Sequence, residues 1–442
     1  MDTCFYEEED DAAAATLFAI ITTSILEACE ACNKQHQWHQ LYLCRQELIL
    51  NPWVGTPWQR LWESQNDHAF IMMMGFDVAA FWLLLEGPGR FGECWKTRPI
   101  RQNDVSNAGH PRLQWHSLDG AGALGLVLHY LGSAMLDVSL QQIFALTPSV
   151  LSQYLDFAEE ILYEVLLHVQ EAQISMPRTE SDFERLSTLI TQHHPLLIGV
   201  FGSVDGLSLC TQVSNDPELK NATYNAWKSD HHINNILVFS PEGKSFPTFY
   251  LWPASLTLMV PIGVIINAVI NSPGSWHDAH VAQPIFKTLR TRVPHNYFLV
   301  SDTAFPHGTQ SIEGKICAPL KTGEWVPNDP ILLQHLLAFN QQLLSYCQTA
   351  EWGMCMLQGS FRCLHVPLPI SSVNRRCCHI ETCVRLSNVR TNCVGINEIH
   401  SVYMPIWRAS EVKQLWLELG DMVFGDIQKC DRISRFHLEV VG

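Results

Sequence analysis

The sequence predicts an α/β fold, with a mixed sheet flanked by helices, preceded by a mostly α-helical N-terminal region. Strand-like runs, bounded by Gly, Pro and Asp, begin near residue 197 and are separated by helix-like segments. Before that point the chain has mainly amphipathic runs with helical spacing. Strands interspersed with helices are typical of layered α/β domains, and 442 residues allow about two to four domains.

The composition limits the classes of function. The formal net charge is −16, from 44 acidic and 28 basic residues; 16% of residues are charged and 47% are hydrophobic. Bulk disorder is excluded, because it needs low hydrophobicity and dense charge. A generic basic surface for nucleic acid is also excluded, because such binding depends on clustered Lys and Arg. Any function on DNA would therefore depend on a local site.

Residues 1–115 are predicted to form a helical region with an acidic, disordered tail, since six of the first eleven residues are acidic. That start is unlike a secretory signal peptide, whose first residues are basic. Two pairs of possible zinc ligands, Cys29 with Cys32 and His36 with His39, are separated by only three residues. That is too few for the chain to fold back and bring both pairs to one ion. We therefore expect reduced thiols rather than a zinc finger or disulfides.

Residues 116–196 are predicted to form a second helical unit that contains a helix–turn–helix. Ser139 is expected to cap the first helix, with Gln142 at capping-box spacing, and Pro148 is expected to begin the second helix after Thr147. Packing in all-α proteins gives the same pattern. The second helix carries acidic and no basic residues, so the pattern alone does not establish a DNA-reading helix.

Residues 197–366 are predicted to contain five strands and to form the α/β domain. The strand-like runs are LLIGVFGSVDGLSLC, INNILVFSPEG, GVIINAVI, NYFLVSD and KICAPL. Helices are expected over DAHVAQPIFKTLRTRV and over residues 330–357, where apolar residues recur with helical spacing. Residues 367–442 are expected to form a C-terminal helical tail, with a helix near 384–394.

Four acidic residues lie at or near predicted strand ends or on the long helix: Asp205, Asp278, Asp302 and Glu351. Carboxylates that meet in one cleft repel each other, and hard divalent cations such as Mg2+ or Mn2+ relieve that repulsion. Two such ions can activate the attacking oxygen and stabilise the leaving oxygen of a phosphodiester. Structural interpretations stay open for Asp205 as a turn residue, Asp302 as a helix cap and Glu351 on a solvated helix face.

Four motifs occur in order between Gly202 and Phe361: VDG at 204–206, GSWHDAHV at 274–281, VSDTAFP at 300–306 and EWG…QGSF at 351–361. Together they resemble the DDE superfamily endonucleases of Harbinger-type transposases and the nucleases domesticated from them. The resemblance implies an RNase H-like nuclease domain that cuts and joins DNA with two divalent ions, Mg2+ or Mn2+. It implies that Asp205, Asp302 and Glu351 are the catalytic and metal-binding triad.

The same resemblance implies a fourth metal ligand at Asp278. The helices near 139–160 are also similar to the DNA-binding helices that precede the nuclease domain in this family. The resemblance further implies a separate Myb-like partner protein that supplies DNA binding and nuclear import. Because the sequence has no Lys/Arg-rich run, nuclear location is an expectation from the family alone. The oligomeric state is left open. The alternative is a domesticated, catalytically silent module that binds DNA or protein and keeps the fold.

The chain departs from the family pattern in two respects. Between the second and third predicted strands lie about 18 mostly apolar, Pro-rich residues, 244–261, which we interpret as a retained-intron translation or a late insertion. A membrane span over 245–270 is the disfavoured interpretation, because three prolines interrupt it.

The second departure is charge. Residues 180–370 carry 14 acidic and 10 basic residues, a balance of −4. Five basic residues are the candidate phosphate contacts: Lys315, Lys321, Arg290, Arg292 and Arg362.

Overall fold

The computed structural model describes residues 22–24, 26–27, 43–100, 104–106, 109–243, 263–305, 312, 314–321 and 326–395. The predicted acidic tail, the Cys29–His39 pattern and the 244–261 segment lie outside the described residues. The chain divides into two compact units, one within residues 1–60 and 135–153 and the other within 61–134 and 154–442. The predicted boundaries at 115, 196 and 366 do not coincide with that division.

Helices make up the regular structure described before residue 200, in agreement with the predicted helical region. They are α1 (Pro57–Ser64), α2 (Asp67–Met74), α3 (Val78–Leu85), α4 (Phe91–Thr97), α5 (Gly120–Gly132), α6 (Asp137–Phe144), α7 (Pro148–Leu166) and α8 (Glu180–Thr191), with 3-10 turns at Arg45–Glu47, Leu113–Trp115 and Gln170–Ala172. Within the described residues no single helix is long and apolar enough to cross a bilayer. The bent pair α2 and α3 meets those criteria together.

Helices α6 and α7 occupy the segment predicted as a helix–turn–helix, with three residues between them. Pro148 begins α7 as predicted. The predicted cap at Ser139 is wrong, because α6 begins at Asp137 and Leu136 precedes it as the N-cap without a side-chain hydrogen bond. Ser139 is therefore inside the helix. Ala145 ends α6 with a positive φ of 51°. Whether this pair reads DNA stays a prediction.

A six-stranded mixed sheet follows. Its strands are β1 (Val200–Cys210), β2 (Tyr224–Asn225), β3 (Asp230–Phe239), β4 (Ile265–Pro273), β5 (Phe298–Ser301) and β6 (Ile316–Cys317). The spatial order is β2–β3–β1–β5–β6, and β4 also pairs with β3. β3 is antiparallel to both β1 and β4, whereas β5 is parallel to both β1 and β6. The five predicted strands are confirmed; the two-residue β2 was not predicted.

Helices cover both faces of this sheet. They are α9 (Pro217–Thr223), α10 (Asp278–Val281), α11 (Gln283–Arg292), α12 (Pro330–Ser360) and α13 (Val373–Cys393), with a 3-10 turn at Arg362–His365. Leu299 of β5 packs in a core with Phe286 of α11, whereas the next residue, Val300, packs with Leu343 of α12. Successive side chains of a strand point to opposite faces, so the sheet lies between two helical layers. The predicted mixed sheet flanked by helices is confirmed.

Strands β3 and β4 stay paired at the ends that flank residues 244–262. Ser240 N–H donates to the Val264 carbonyl (3.0 Å), and Val264 N–H donates to the Glu242 carbonyl (3.0 Å). The chain on either side of the 244–261 segment is therefore held as a hairpin end.

Helix α13 extends the predicted 384–394 helix to residues 373–393 and belongs to the core rather than to a separate tail. The Asn388 side chain accepts a hydrogen bond from Ile265 N–H (2.7 Å) and donates one to the Ile265 carbonyl (2.9 Å). These two bonds fix the first residue of β4 against α13. Residues 396–442 lie outside the described part of the chain.

Candidate active site

Two neighbouring parallel strands bring Asp205 and Asp302 together. Val204 of β1 lies opposite Ser301 of β5, and each aspartate follows its strand partner by one residue. Residues at equivalent positions of adjacent strands point to the same face. The two carboxylates therefore share one side of the sheet. Asp302 accepts a hydrogen bond from the Ala304 N–H (3.0 Å), which orients it in the turn after β5.

Helix α12 brings Glu351 to the same place. The Cys347 thiol donates to the Ser301 carbonyl (3.1 Å), which ties α12 to the end of β5. The hydroxyl groups of Ser203 and Thr349 are hydrogen-bonded at 3.1 Å, which ties α12 to β1. Glu351 lies four residues after Cys347 and so on the same face of the helix.

A close approach of α12 to the sheet requires a glycine at residue 353. A Cβ at Gly353 would lie 2.6 Å from the ring of Phe239 on β3. The ring of Phe239 therefore packs directly against the backbone of α12, and the helical turn that carries Glu351 lies close to the sheet. The result is a small cleft, lined by Val204, Asp205, Ser301, Asp302, Cys347, Ala350 and Glu351.

Asp278 reaches the site from β4 through the turn that leads into α10. Asn234 of β3 donates to the Trp276 carbonyl (2.8 Å) and accepts from the Ser208 hydroxyl (2.6 Å), which holds this turn on the sheet. The Asp278 carboxylate then lies against Gly206, where an added Cβ would be 3.0 Å from its Oδ2. Gly206 directly follows Asp205, so the fourth acid borders the triad.

The acids act on one another electrostatically. Burial raises the pKa of Asp205 to about 7. A hydrogen bond from Gly206 N–H (2.7 Å) opposes that shift, whereas the negative charges of the other three acids add to it. Burial also raises the pKa of Asp278; His277 and Lys228 oppose the increase, and Asp302 adds to it. Asp302 and Glu351 are exposed and face the opening of the cleft.

This donor set fits a hard divalent cation. All four groups offer carboxylate oxygens, the ligands that Mg2+ and Mn2+ prefer. Within the described part of the chain, no Lys or Arg forms an ion pair with any of them. The described groups whose three ligand atoms all lie within 4.8 Å of one another do not include these acids. A bound ion would therefore draw the carboxylates together against their mutual repulsion.

Residues 204–388 match the family model of the DDE superfamily endonucleases. The matched segment begins one residue before Asp205 and includes all four acids. It supports a DDE-type, transposase-derived nuclease, as the sequence motifs predicted, and divalent metals are typical of that superfamily. The Harbinger subtype stays a prediction. Comparison with curated proteins and with solved structures gives no significant match.

Lys315, one of the five candidate phosphate contacts, is buried in this DDE-like segment. Its Nζ donates to the carbonyls of Val293 (2.9 Å) and Pro294 (2.6 Å), which lie between α11 and β5. Its ammonium group is thus occupied within the protein, and desolvation by burial lowers its pKa. We therefore leave Lys315 out of the proposed DNA surface.

The other four candidates are exposed but differ in position. Arg290 and Arg292 lie in the last turn of α11, a helix separate from the α10 that begins at Asp278. Arg362 lies after the end of α12, about 16 Å of helical rise beyond Glu351. Lys321 follows β6 at the sheet edge where β5 ends, since Cys317 pairs with Val300. Of the four, Lys321 is the one that the sheet topology brings to the edge with Asp302.

One residue that sequence reasoning missed also contributes. Lys228, in the turn before β3, lowers the pKa of Asp278, and nothing in its local sequence marks it for that role. Trp276 and Trp352, beside Asp278 and Glu351 in the chain, are 46% and 38% exposed. Large aromatic side chains with that exposure next to an acidic cleft can stack on nucleobases.

Proposed function

We propose that this chain is a divalent-metal-dependent DNA endonuclease derived from a Harbinger-type transposase. One observation carries the proposal: Asp205, Asp302 and Glu351, far apart in the chain, line a single cleft within the DDE-like segment. The structural interpretations of the three acids do not account for this convergence, because turn, cap and surface residues have no reason to share one cleft.

The sheet supports an RNase H-like assignment of this domain. A central β1 lies between antiparallel β3 and parallel β5, and β4 and β6 lie outside them. Asp205 is in the middle of β1 and Asp302 follows β5. Both acids therefore lie on the two central neighbouring strands, and α12 adds Glu351 from above.

Asp205, Asp302 and Glu351 would hold two Mg2+ or Mn2+ ions, and Asp278 would assist from its position against Gly206. When bound, the ions supply activation of the attacking oxygen and stabilisation of the leaving oxygen. Asp205 must lose its proton to act as a ligand, and it does so near neutral pH. The nucleophile would be water in hydrolysis, or a DNA 3′-hydroxyl in strand transfer. No covalent bond between protein and DNA is required.

The proposed DNA path passes Lys321 and Lys228, with Trp276 and Trp352 as stacking surfaces. Two basic residues are few for tight binding, because affinity for DNA grows with the number of phosphates neutralised. We therefore propose that a separate Myb-like protein supplies most of the affinity and the nuclear import. The α6–α7 pair would add DNA contacts.

The decisive test is cleavage of plasmid DNA by the full chain in Mg2+ or Mn2+. We expect nicking by the wild type, none in chelator, and a rate at least about a hundredfold lower by Asp302→Asn. Glu63→Gln, a carboxylate-to-amide change at an exposed residue of α1, is the matched control and should cut like the wild type. Equal cutting by Asp302→Asn and the wild type would disprove the assignment of the site.

The second candidate function is a catalytically silent binding module, and the insertion between β3 and β4 favours it. The remaining hairpin end at Ser240 and Val264 allows a direct test, deletion of residues 244–261, which leaves a short connection suited to a hairpin. If the deletion variant folds and cuts DNA while the full chain does not, the insertion silences the site. Calorimetric Mg2+ binding without cutting by either chain would favour the silent module.

A further inference from the structure

A second group of ligand-type side chains lies outside the acidic cleft. Cys363 is in the 3-10 turn after α12, and His379 and Cys383 are one helical turn apart on α13. All three are buried, and one ligand atom from each lies within 4.8 Å of the other two. We refer to Cys363, His379 and Cys383 as the cysteine–histidine group.

The distance between its sulfur atoms suits a shared metal ion. The Sγ atoms of Cys363 and Cys383 are 3.9 Å apart. Two sulfurs each about 2.3 Å from Zn2+ at a tetrahedral angle are about 3.8 Å apart. A disulfide requires about 2.05 Å. A thiol-to-thiol hydrogen bond is the remaining explanation of this spacing, and it does not account for the histidine.

The histidine is oriented as a metal ligand. Its Nδ1 is 2.5 Å from Oε1 of Glu159 on α7. With Nδ1 committed to that carboxylate, Nε2 is the ring nitrogen left to bind a metal ion. A carboxylate that accepts from the non-ligating nitrogen is the usual support of a zinc-bound histidine, because it fixes the tautomer and makes the ligand more basic.

We propose that Cys363, His379 and Cys383 bind a structural Zn2+ ion, separate from the metal site of the acidic cleft. The two sulfurs would bind as thiolates and His379 through Nε2. A water molecule would complete the tetrahedron, because Glu159 does not belong to the group of atoms within 4.8 Å. Two thiolates and Zn2+ make a neutral unit, which is the form that a buried site favours. Thiol protons released on binding go to solvent, so the affinity rises with pH.

The ion would join three parts of the domain. Cys363 follows the helix that carries Glu351, and α13 fixes the start of β4 through Asn388. Glu159 adds α7 through its bond to His379. Zinc at this point would therefore anchor the end of the catalytic helix without taking part in the reaction.

The test is the metal content of the full chain, purified without added metal and then given one equivalent of Zn2+. We expect about one zinc per chain by mass spectrometry. Replacement by Co2+ should give the near-ultraviolet absorption of thiolate-to-cobalt charge transfer, a signal that carboxylate ligands do not produce. Failure to take up zinc, or a cobalt spectrum without that band, would each overturn the proposal.

Three variants locate the ion. Cys363→Ser combined with Cys383→Ser should lose the zinc and the cobalt band. Cys210→Ser should keep both; Cys210 belongs to a more exposed group with Asp230 and His232. Asp302→Asn should also keep zinc, which separates this site from the acidic cleft. Zinc retained by the double variant would overturn the proposal. Should that variant fail to fold, the cobalt spectrum of the wild type decides.

Discussion

The acidic cleft and the cysteine–histidine group lie in one domain and are connected by the end of α12, yet they have opposite properties. The cleft offers three carboxylates, two of them exposed, with Asp278 at its border. The cysteine–histidine group offers two sulfurs and a nitrogen, all buried. Oxygen ligands suit hard cations that exchange water and phosphate, whereas thiolate and imidazole ligands suit zinc.

The contrast shows that burial and donor type assign different tasks to the two regions. A nuclease must admit a phosphodiester and release products, so its metal ligands must face an opening. A structural ion gains nothing from exposure, and in the proposed zinc site the histidine ligand is fixed by its contact with Glu159. The predictions below test whether the two regions are independent, from the largest expected effect to the smallest.

Asp302→Asn should lower plasmid cleavage by at least about a hundredfold, because removal of a direct metal ligand should cost no less than loss of a supporting residue. Zinc content and thermal unfolding should stay near those of the wild type. A parallel loss of zinc would mean that the two regions form one coupled site.

The Mg2+ affinity of the wild type should fall by about tenfold for each pH unit below 7, because a proton competes for Asp205. Calorimetric titration between pH 5 and 8 measures this. Asp205→Asn should bind Mg2+ weakly and show no such break near pH 7. A wild-type affinity that is constant over this range would contradict the buried, protonated state of Asp205.

The same pKa affects stability with a definite sign. The folded pKa of Asp205 is about 7 against 3.8 for the unfolded chain, so between these values the folded state binds the extra proton. The free energy of unfolding of the metal-free protein should therefore decrease as pH rises from about 4 to 7. Denaturant titrations at several pH values, with Asp205→Asn as control, measure this dependence.

Glu159→Gln should weaken zinc binding by about 10- to 100-fold, because it replaces the carboxylate behind His379 while keeping its size. Competition with a chromophoric chelator measures the affinity. Cleavage under saturating zinc should stay close to that of the wild type. Unchanged zinc affinity would show that the Glu159–His379 contact is only a structural ion pair.

Gly206→Ala should lower cleavage by roughly tenfold, because its Cβ would lie 3.0 Å from the Asp278 carboxylate and push it aside. Ser208→Ala, on the same strand as Gly206, removes the hydrogen bond to Asn234 of β3 and should have a smaller effect. Steady-state cleavage rates compare the two. No change in Gly206→Ala would argue against Asp278 as a metal ligand.

Much of the fold follows from local patterns. The runs that became β1, β3, β4, β5 and β6 were legible because apolar and β-branched residues alternate or cluster between Gly, Pro and Asp. The long helix α12 could be predicted from the helical spacing of its apolar residues. The start of α6 could not be predicted correctly, because Ser139 is a residue type that commonly caps helices but lies two residues inside this one.

The sequence by itself determined the order of the strands along the chain, the four acids and their motifs. The tertiary structure alone decided that Lys315 is buried, that α13 covers β4, that Asp278 lies on Gly206 and that Cys363 lies near His379. The reason is physical. Periodicity records which face of a segment is buried, but contacts between distant residues depend on how whole elements pack. Metal sites are built from such contacts, so their geometry appears only in the folded chain.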